Sequence, residues 1–189
     1  SKEVVETRRP SFAELPIITC WPDDGGPYIT LGMIFTHDPA TRRRNVGIYR
    51  VQIFDEQTAG MHWQIHKVGP RHYRDWQAKR QPMPVAIVLG GDPALIYAAS
   101  APLPEDMDEM LFAGFLRQEG VEMVRCETVD MEVPATAEIV LEGYLDPDEL
   151  RTEGPFGEHT GFYSLPAPYP VFRLTCVSRR SRPIYPATI

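Results

Sequence analysis

The sequence predicts a single β-rich α+β domain, and three observations carry that reading. The chain has 189 residues, 43% hydrophobic and 24% charged, enough to bury about 70% of its unfolded surface in one core without disulfides or a structural metal. Its 19 prolines and 14 glycines stand where average usage of about 12% predicts roughly 23 together. They are scattered without repeats, so they punctuate many short elements, since proline interrupts helix interiors and central strands alike. The apolar runs between them are short and β-prone.

Residues 1–27 are polar and proline-broken, apolar only at Leu15–Ile18, and read as a lead-in to a domain spanning 28–189. Tyr28–Phe35 is an apolar strand candidate, stopped by His37-Asp38-Pro39. Val46–Phe54 follows with rough period-two alternation, so the two form a hairpin. Met61–Lys67 fits strand or helix. Arg71–Gln81 is polar with Tyr73 and Trp76 three apart, a surface helix that Pro82 stops. Val85–Leu89 is a buried strand leading into a helix over Ala94–Ala99, with Asp92 as N-cap and Pro93 as first helical residue. Asp106 or Asp108 caps another helix that runs through Leu116. Strands return at Val121–Cys126, Ala137–Leu145 and Phe172–Ser178. Glu153–Tyr163, between the last two, is rich in glycine and acid and reads as a rigid turn.

Composition excludes several functions. A net charge of −7 argues against a broad nucleic-acid footprint, which needs a basic face. Three unpaired cysteines, Cys20, Cys126 and Cys176, rule out a disulfide framework or a CxxC metal knuckle and suit a reducing cytoplasm. The first residues have no apolar core of a signal peptide, and no apolar run approaches ~18 residues. We therefore expect a cytoplasmic chain with no nucleic-acid or membrane partner. GxGxxG, GxxxxGK[ST], GxSxG and a Cys–His pair are absent.

Four groups could carry chemistry. Glu153 and Glu158 lie five apart in a glycine-proline turn, where a positioned carboxyl can act as general acid; a solvated acidic loop has the same composition. Asn45 and Arg50 share one β element but fall on opposite faces of an ideal strand, so both reach one site only with a turn at Asn45. His62 and His66 are four apart and share a face; a metal hydrolase could use them, but position 63 is Trp, so HExxH is absent. Glu109 opens a helix, where the dipole stabilises an acid without any function. Arg42–Arg44 could meet a phosphate or simply be solvated.

In order along the chain, NVGIYR (45–50), WQIHK (63–67), DEMLFAGFLR (108–117), PATAEIVLEGYL (134–145) and EGPFGEHTGFY (153–163) together resemble the UbiD family of prenylated-FMN-dependent reversible decarboxylases. Any one block is weak; EGPFGE with NxGxYR and EIVLEG is specific. The resemblance covers about Leu31 to the end, but UbiD proteins are more than twice this long. It implies a split β-barrel with flanking helices, of the kind that binds FMN, and a homo-oligomer completed by a C-terminal domain. It implies Mn²⁺ or Mg²⁺ ligands at Asn45, His66 and Glu109, a mixed O/N set suited to those ions. In some members K⁺ sits on backbone carbonyls, near Ala98, Ala99 and Ala101 here. Cofactor contacts fall at Ile48, Tyr49, Arg50, His62, Trp63, Gln64, His66 and Lys67. Arg50, Glu153 and Glu158 match the catalytic group: Arg50 for the substrate carboxylate, Glu153 to hold Arg50, Glu158 to deliver the proton that replaces CO₂. The substrate would be an aromatic or α,β-unsaturated carboxylic acid, and a flavin prenyltransferase would supply the cofactor. A flavin- or phosphate-binding module without turnover of its own is the alternative, because cover from the C-terminal domain would be missing.

Overall fold

The computed structural model describes residues 2–63, 68–104 and 106–189. In chain order its strands are β1 (Val4–Glu6), β2 (Tyr28–Ile29), β3 (Met33–His37), β4 (Arg44–Ile48), β5 (Val51–Ile53), β6 (Thr58–Met61), β7 (Met83–Leu89), β8 (Met123–Arg125), β9 (Glu132–Pro134), β10 (Ile139–Glu153), β11 (Phe156–Gly157), β12 (Tyr163–Ser164) and β13 (Ala167–Arg179). The helices are α1 (Val68–Ala78), α2 (Pro93–Ser100) and α3 (Glu109–Arg117).

Nine strands form one antiparallel sheet in the order β2-β5-β6-β13-β10-β7-β3-β4, with β1 added to β13. The sheet curls into a half-barrel with few helices, as the split-barrel expectation required. Chain continuity helps to curl it: β4 at one end of the order passes within two residues into β5, near the other. The expected hairpin is β3 on β4, with Met33 opposite Ile48 and His37 opposite Arg44.

β7 is apolar throughout because both of its faces are covered. Met83, Val85, Ile87 and Leu89 enter one core with Ile34, Leu141 and Phe172, while Ala86 and Val88 enter another with Met33, Phe35 and Val140. Pro84 is tolerated because β3 pairs only with Ala86–Val88, which leaves no ladder partner on that side for a proline to miss. Leu95, Ala98 and Ala99 of α2 and Met110 and Ala113 of α3 close the second core. Asp92 caps α2, accepting from the Ala94 N–H at 2.9 Å, and Asp108 caps α3 through the N–H groups of Met110 and Leu111.

Some expectations need correction. α1 begins at Val68 rather than Arg71 and buries Gly69, Pro70, His72 and Tyr73, so it is half-buried rather than a surface helix. The chain leaves the helix through Arg80, at φ 54°, before Pro82 is reached. β10 and β13 run well beyond their apolar stretches, as far as Glu153 opposite Ala167. Within residues 1–27, β1 joins the sheet and Phe12 enters the core. Among the described residues no helix is long and apolar enough to cross a membrane.

Candidate functional site

The turn that the Asn45–Arg50 spacing demands falls at Tyr49–Arg50, not at Asn45, which lies inside β4. This break separates β4 from β5 and places Arg50 beside the end of β10. There Glu153, fully buried, accepts from Arg50 Nε at 2.8 Å through Oε1 and from Nη2 at 3.2 Å through Oε2. Arg50 Nη1 donates to Glu158 Oε1 at 2.5 Å, and Nη2 also donates to Ser164 Oγ at 3.0 Å. The guanidinium lies over the Phe156 ring, 4.6 Å from its centroid. The three residues singled out in the sequence therefore meet around one cation.

The two carboxylates differ sharply. Glu153 is closed off from solvent, while the Glu158 side chain is 34% exposed. Burial alone would raise the Glu153 carboxyl. Hydrogen bonds from His62 and Arg50, with the Arg50 charge, outweigh it and hold Glu153 below the usual carboxylate value. His62 Nδ1 lies 3.0 Å from Glu153 Oε2, and its ring lies 4.4 Å from that of Tyr169. Gly154 begins the turn after Glu153 at φ +96°, a backbone setting that favours glycine.

The second group lines a cavity of about 440 Å³ between β4, α1 and the loop that follows α2. Asn45, Tyr49 and Glu109 face it, together with Arg43, Arg44 and Arg71. Glu109 Oε2 accepts the Val46 N–H at 3.1 Å, next to Asn45, and burial raises its carboxyl. Asn45 is 8% exposed, and its Nδ2 has no hydrogen-bond partner among the described residues. A buried amide left open, a desolvated carboxylate and a basic rim together suit a phosphate held with a hard cation. Burial pushes the Tyr49 hydroxyl up to about 12, and its ring meets Trp63 edge-on at 4.9 Å.

Gln64, His66 and Lys67 lie outside the described residues, so the third expected metal ligand has no placement. Among the described residues no three His, Cys, Asp or Glu side chains converge as a metal site. Ala99 and Ala101 line the cavity and Ala98 is buried beside them, while Ile48 is half-buried at the end of β4. His62, the described member of the His62/His66 pair, is engaged with Glu153. Reasoning from sequence missed Ser164, Tyr28 and Gln52. Tyr28 donates from its hydroxyl to Gln52 Oε1 at 3.1 Å, and Gln52 Oε1 accepts the Gly154 N–H at 2.7 Å. An isolated Ser, Tyr or Gln carries no motif; only the fold brings them to the acidic turn.

Comparison with known proteins gives a consistent result. The family model described as UbiD, 3-octaprenyl-4-hydroxybenzoate carboxy-lyase Rift-related domain, matches residues 1–189. An uncharacterized protein of Archaeoglobus fulgidus is 52% identical over 189 residues, all of this chain and 39% of the relative. The UbiD-class enzyme HmfF of Pelotomaculum thermopropionicum, an evolved dimeric form in complex with prFMN, superposes with a TM-score of 0.94 at 36% identity, covering 97% of this chain and 43% of that one. The closed form of vanillic acid decarboxylase from Sedimentibacter hydroxybenzoicus gives 0.94 at 31% identity, covering 97% and 40%. The chain thus spans about two fifths of the length of these proteins.

Proposed function

The chain belongs to the UbiD family of carboxy-lyases, and from that premise we propose that it is the cofactor-holding, acid–base domain of a prenylated-FMN-dependent decarboxylase of aromatic or α,β-unsaturated carboxylic acids. The observation that carries this reading is the convergence of Arg50, Glu153 and Glu158 within hydrogen-bond distance of one another. Asn45 and Glu109, with His66, would hold Mn²⁺ or Mg²⁺ against the cofactor phosphate, with the arginines of the cavity rim as further counter-charge. When bound, prenylated FMN supplies the electron sink for the pair left by departing CO₂.

The protein's own part is positioning and proton delivery. Glu153 fixes the guanidinium plane through two bonds, which leaves Arg50 Nη1 as the end that can be shared. A substrate carboxylate takes Nη1 from Glu158, the more exposed partner, and the planar fork orients the bond to be broken. Glu158, freed from its cation, takes a proton from solvent and gives it to the carbon that loses CO₂. The resulting carboxylate returns to Arg50 as the product leaves. Phe156, against the Arg50 guanidinium, and Tyr169, against His62, bring aromatic surface to this region, which would suit a flat substrate. A flavin prenyltransferase would provide the cofactor in the cytoplasm, and self-association would give a homo-oligomer.

A binding module without turnover is the second reading. Its support is the one-third exposure of Glu158 in a chain that spans 39% of its relative. On that view the 189 residues bind the cofactor weakly and turn over poorly. Reconstitution with prenylated FMN, Mn²⁺ and K⁺, following flavin absorbance and CO₂ release from cinnamic-type and hydroxybenzoic acids, separates the two. Retained flavin with CO₂ release that depends on Glu158 supports the decarboxylase. Retained flavin without release supports the module, and no retention overturns both.

A further inference from the structure

Residues 20–28, upstream of and entering β2, run against the acidic turn and are bonded to it along their length. Asp24 is the centre of this strap. Its Oδ2 accepts the N–H groups of Cys20 at 3.1 Å and Trp21 at 3.0 Å, closing the strap on itself. Its Oδ1 accepts the N–H of Gly157 at 2.8 Å, the residue immediately before Glu158. The Gly25 N–H donates to Pro155 O at 2.7 Å, and Gln52 Nε2 donates to Gly25 O at 2.8 Å. Further along, the Asp23 N–H donates to the Tyr163 hydroxyl at 3.3 Å.

Strap and turn also meet too closely for side chains at the contact. A Cβ on Gly157 would lie 2.5 Å from Trp21 Cδ1, and one on Gly25 would lie 2.4 Å from Gly154 O. Beyond these contacts, the turn carrying Glu158 is held by the two-residue strands β11 and β12, by Tyr28 against Phe156 and Pro155, by the Phe156 N–H on Ser164 Oγ and by the Arg50 pair itself. A backbone N–H given to a carboxylate is roughly twice as strong as one given to a neutral acceptor. Asp24 therefore contributes a charge-assisted link from the residue immediately before Glu158 to the strap.

We propose that Asp24 is a positioning residue for Glu158: through the Gly157 N–H it sets where the proton-delivering carboxyl can reach. The task given to Glu158 rests on the decarboxylase reading; the mechanical link from Asp24 does not. A carboxylate that served only to shape its own turn would hold Cys20 and Trp21 and leave residues 156–164 unaffected. The two roles therefore separate.

The test compares Asp24→Ala and Asp24→Asn with Glu158→Gln in the 189-residue chain, by amide hydrogen exchange without cofactor and by kinetics with it. Asp24→Ala should speed exchange in 156–164 at least about tenfold while β10 and β13 keep their protection. With cofactor bound, kcat should fall about 10- to 100-fold with KM for the acid nearly unchanged, the scale of a misplaced catalytic group. Asp24→Asn keeps one acceptor oxygen and should recover part of both effects; it also stands in should the alanine variant fail to fold. Glu158→Gln should lose turnover and, by removing the Arg50 pair, speed exchange in 156–164 less than Asp24→Ala does. Unchanged exchange in 156–164, or loosening spread evenly over the sheet, overturns the proposal. Absence of turnover in the wild-type chain removes the decarboxylase reading, and the exchange result alone then decides Asp24's role.

Discussion

Replacing Glu153 by Gln isolates what the buried carboxylate does, because the shape is kept and the charge is lost. Glu153 is fully buried and accepts from two Arg50 nitrogens and His62. A glutamine presents one oxygen and one amino group, so at least one of those donors then faces another donor. Breaking a buried pair on one side costs about 3–5 kcal/mol. Arg50 keeps Glu158 at 2.5 Å, so the lower end, about 3 kcal/mol, is expected. At about 2–4 °C per kcal/mol for a chain of this size, that is a fall in Tm of roughly 6–12 °C. The pH dependence has a fixed sign. The folded carboxyl lies below its ordinary value of 4.5, so its contribution is complete above that value and is lost as pH falls through the lower folded one. Urea unfolding followed by tryptophan fluorescence from pH 7 to pH 3 should show wild type and Glu153→Gln converging at the acid end. A gap below about 1 kcal/mol at pH 7 would refute the buried-pair argument, as would a gap that stays constant to pH 3.

Three further outcomes follow from the same geometry. Glu158→Gln should keep the fold and cofactor uptake but lower CO₂ release roughly 10²- to 10⁴-fold; release within tenfold of wild type would assign the proton to another group. Asn45→Ala and His66→Ala should each weaken Mn²⁺ and cofactor retention together, read by metal analysis and flavin absorbance, and a variant that loses metal at unchanged cofactor affinity would break the bridging role. Glu142, buried in β10, accepts the N–H groups of Glu127 and Thr128 and the Thr128 hydroxyl; Glu142→Leu should cost at least about 1–3 kcal/mol by leaving those donors open, and a neutral result in urea unfolding would show that the 126–131 loop finds other acceptors.

The parts of the fold that were readable are those in which burial and pattern coincide. β7 is apolar on both faces and legible to within two residues; the Asp92–Pro93 pair marks the start of α2, and of the two candidates Asp106 and Asp108 the second caps α3. β10 reads short because its outer half is polar, and β13 because Pro168 and Pro170 interrupt its start. From Leu150 to Glu153 the ladder to Pro170–Ala167 is held by backbone pairing with no alternation of hydrophobicity to announce it. The register shift between Leu145 and Leu150 further removes any constant period. α1 reads as superficial because 71–81 is mostly polar, whereas its first turn is buried and packs so closely that a Cβ on Gly69 would lie 2.6 Å from Trp63 Cζ3.

The same distinction governs the site. Arg50 lies 103 residues from Glu153 and 108 from Glu158, so neither spacing nor period could join them; only the resemblance brought the three together. Even then, the sequence offers two glutamates of equal chemistry in one turn. What separates them is where each sits on the curled sheet. Glu153 ends β10, whose neighbour β13 and the adjoining β6 close over it, so it is fixed and desolvated. Glu158 stands beyond a two-residue strand with a third of its side chain exposed. On the proposed decarboxylase reading, the enclosed acid would hold the cation and the exposed one would exchange Arg50 for a substrate carboxylate and deliver the proton. The turn must therefore be anchored just before Glu158 but not at its side chain, and the Gly157 N–H, 133 residues from Asp24 in sequence, is the available place.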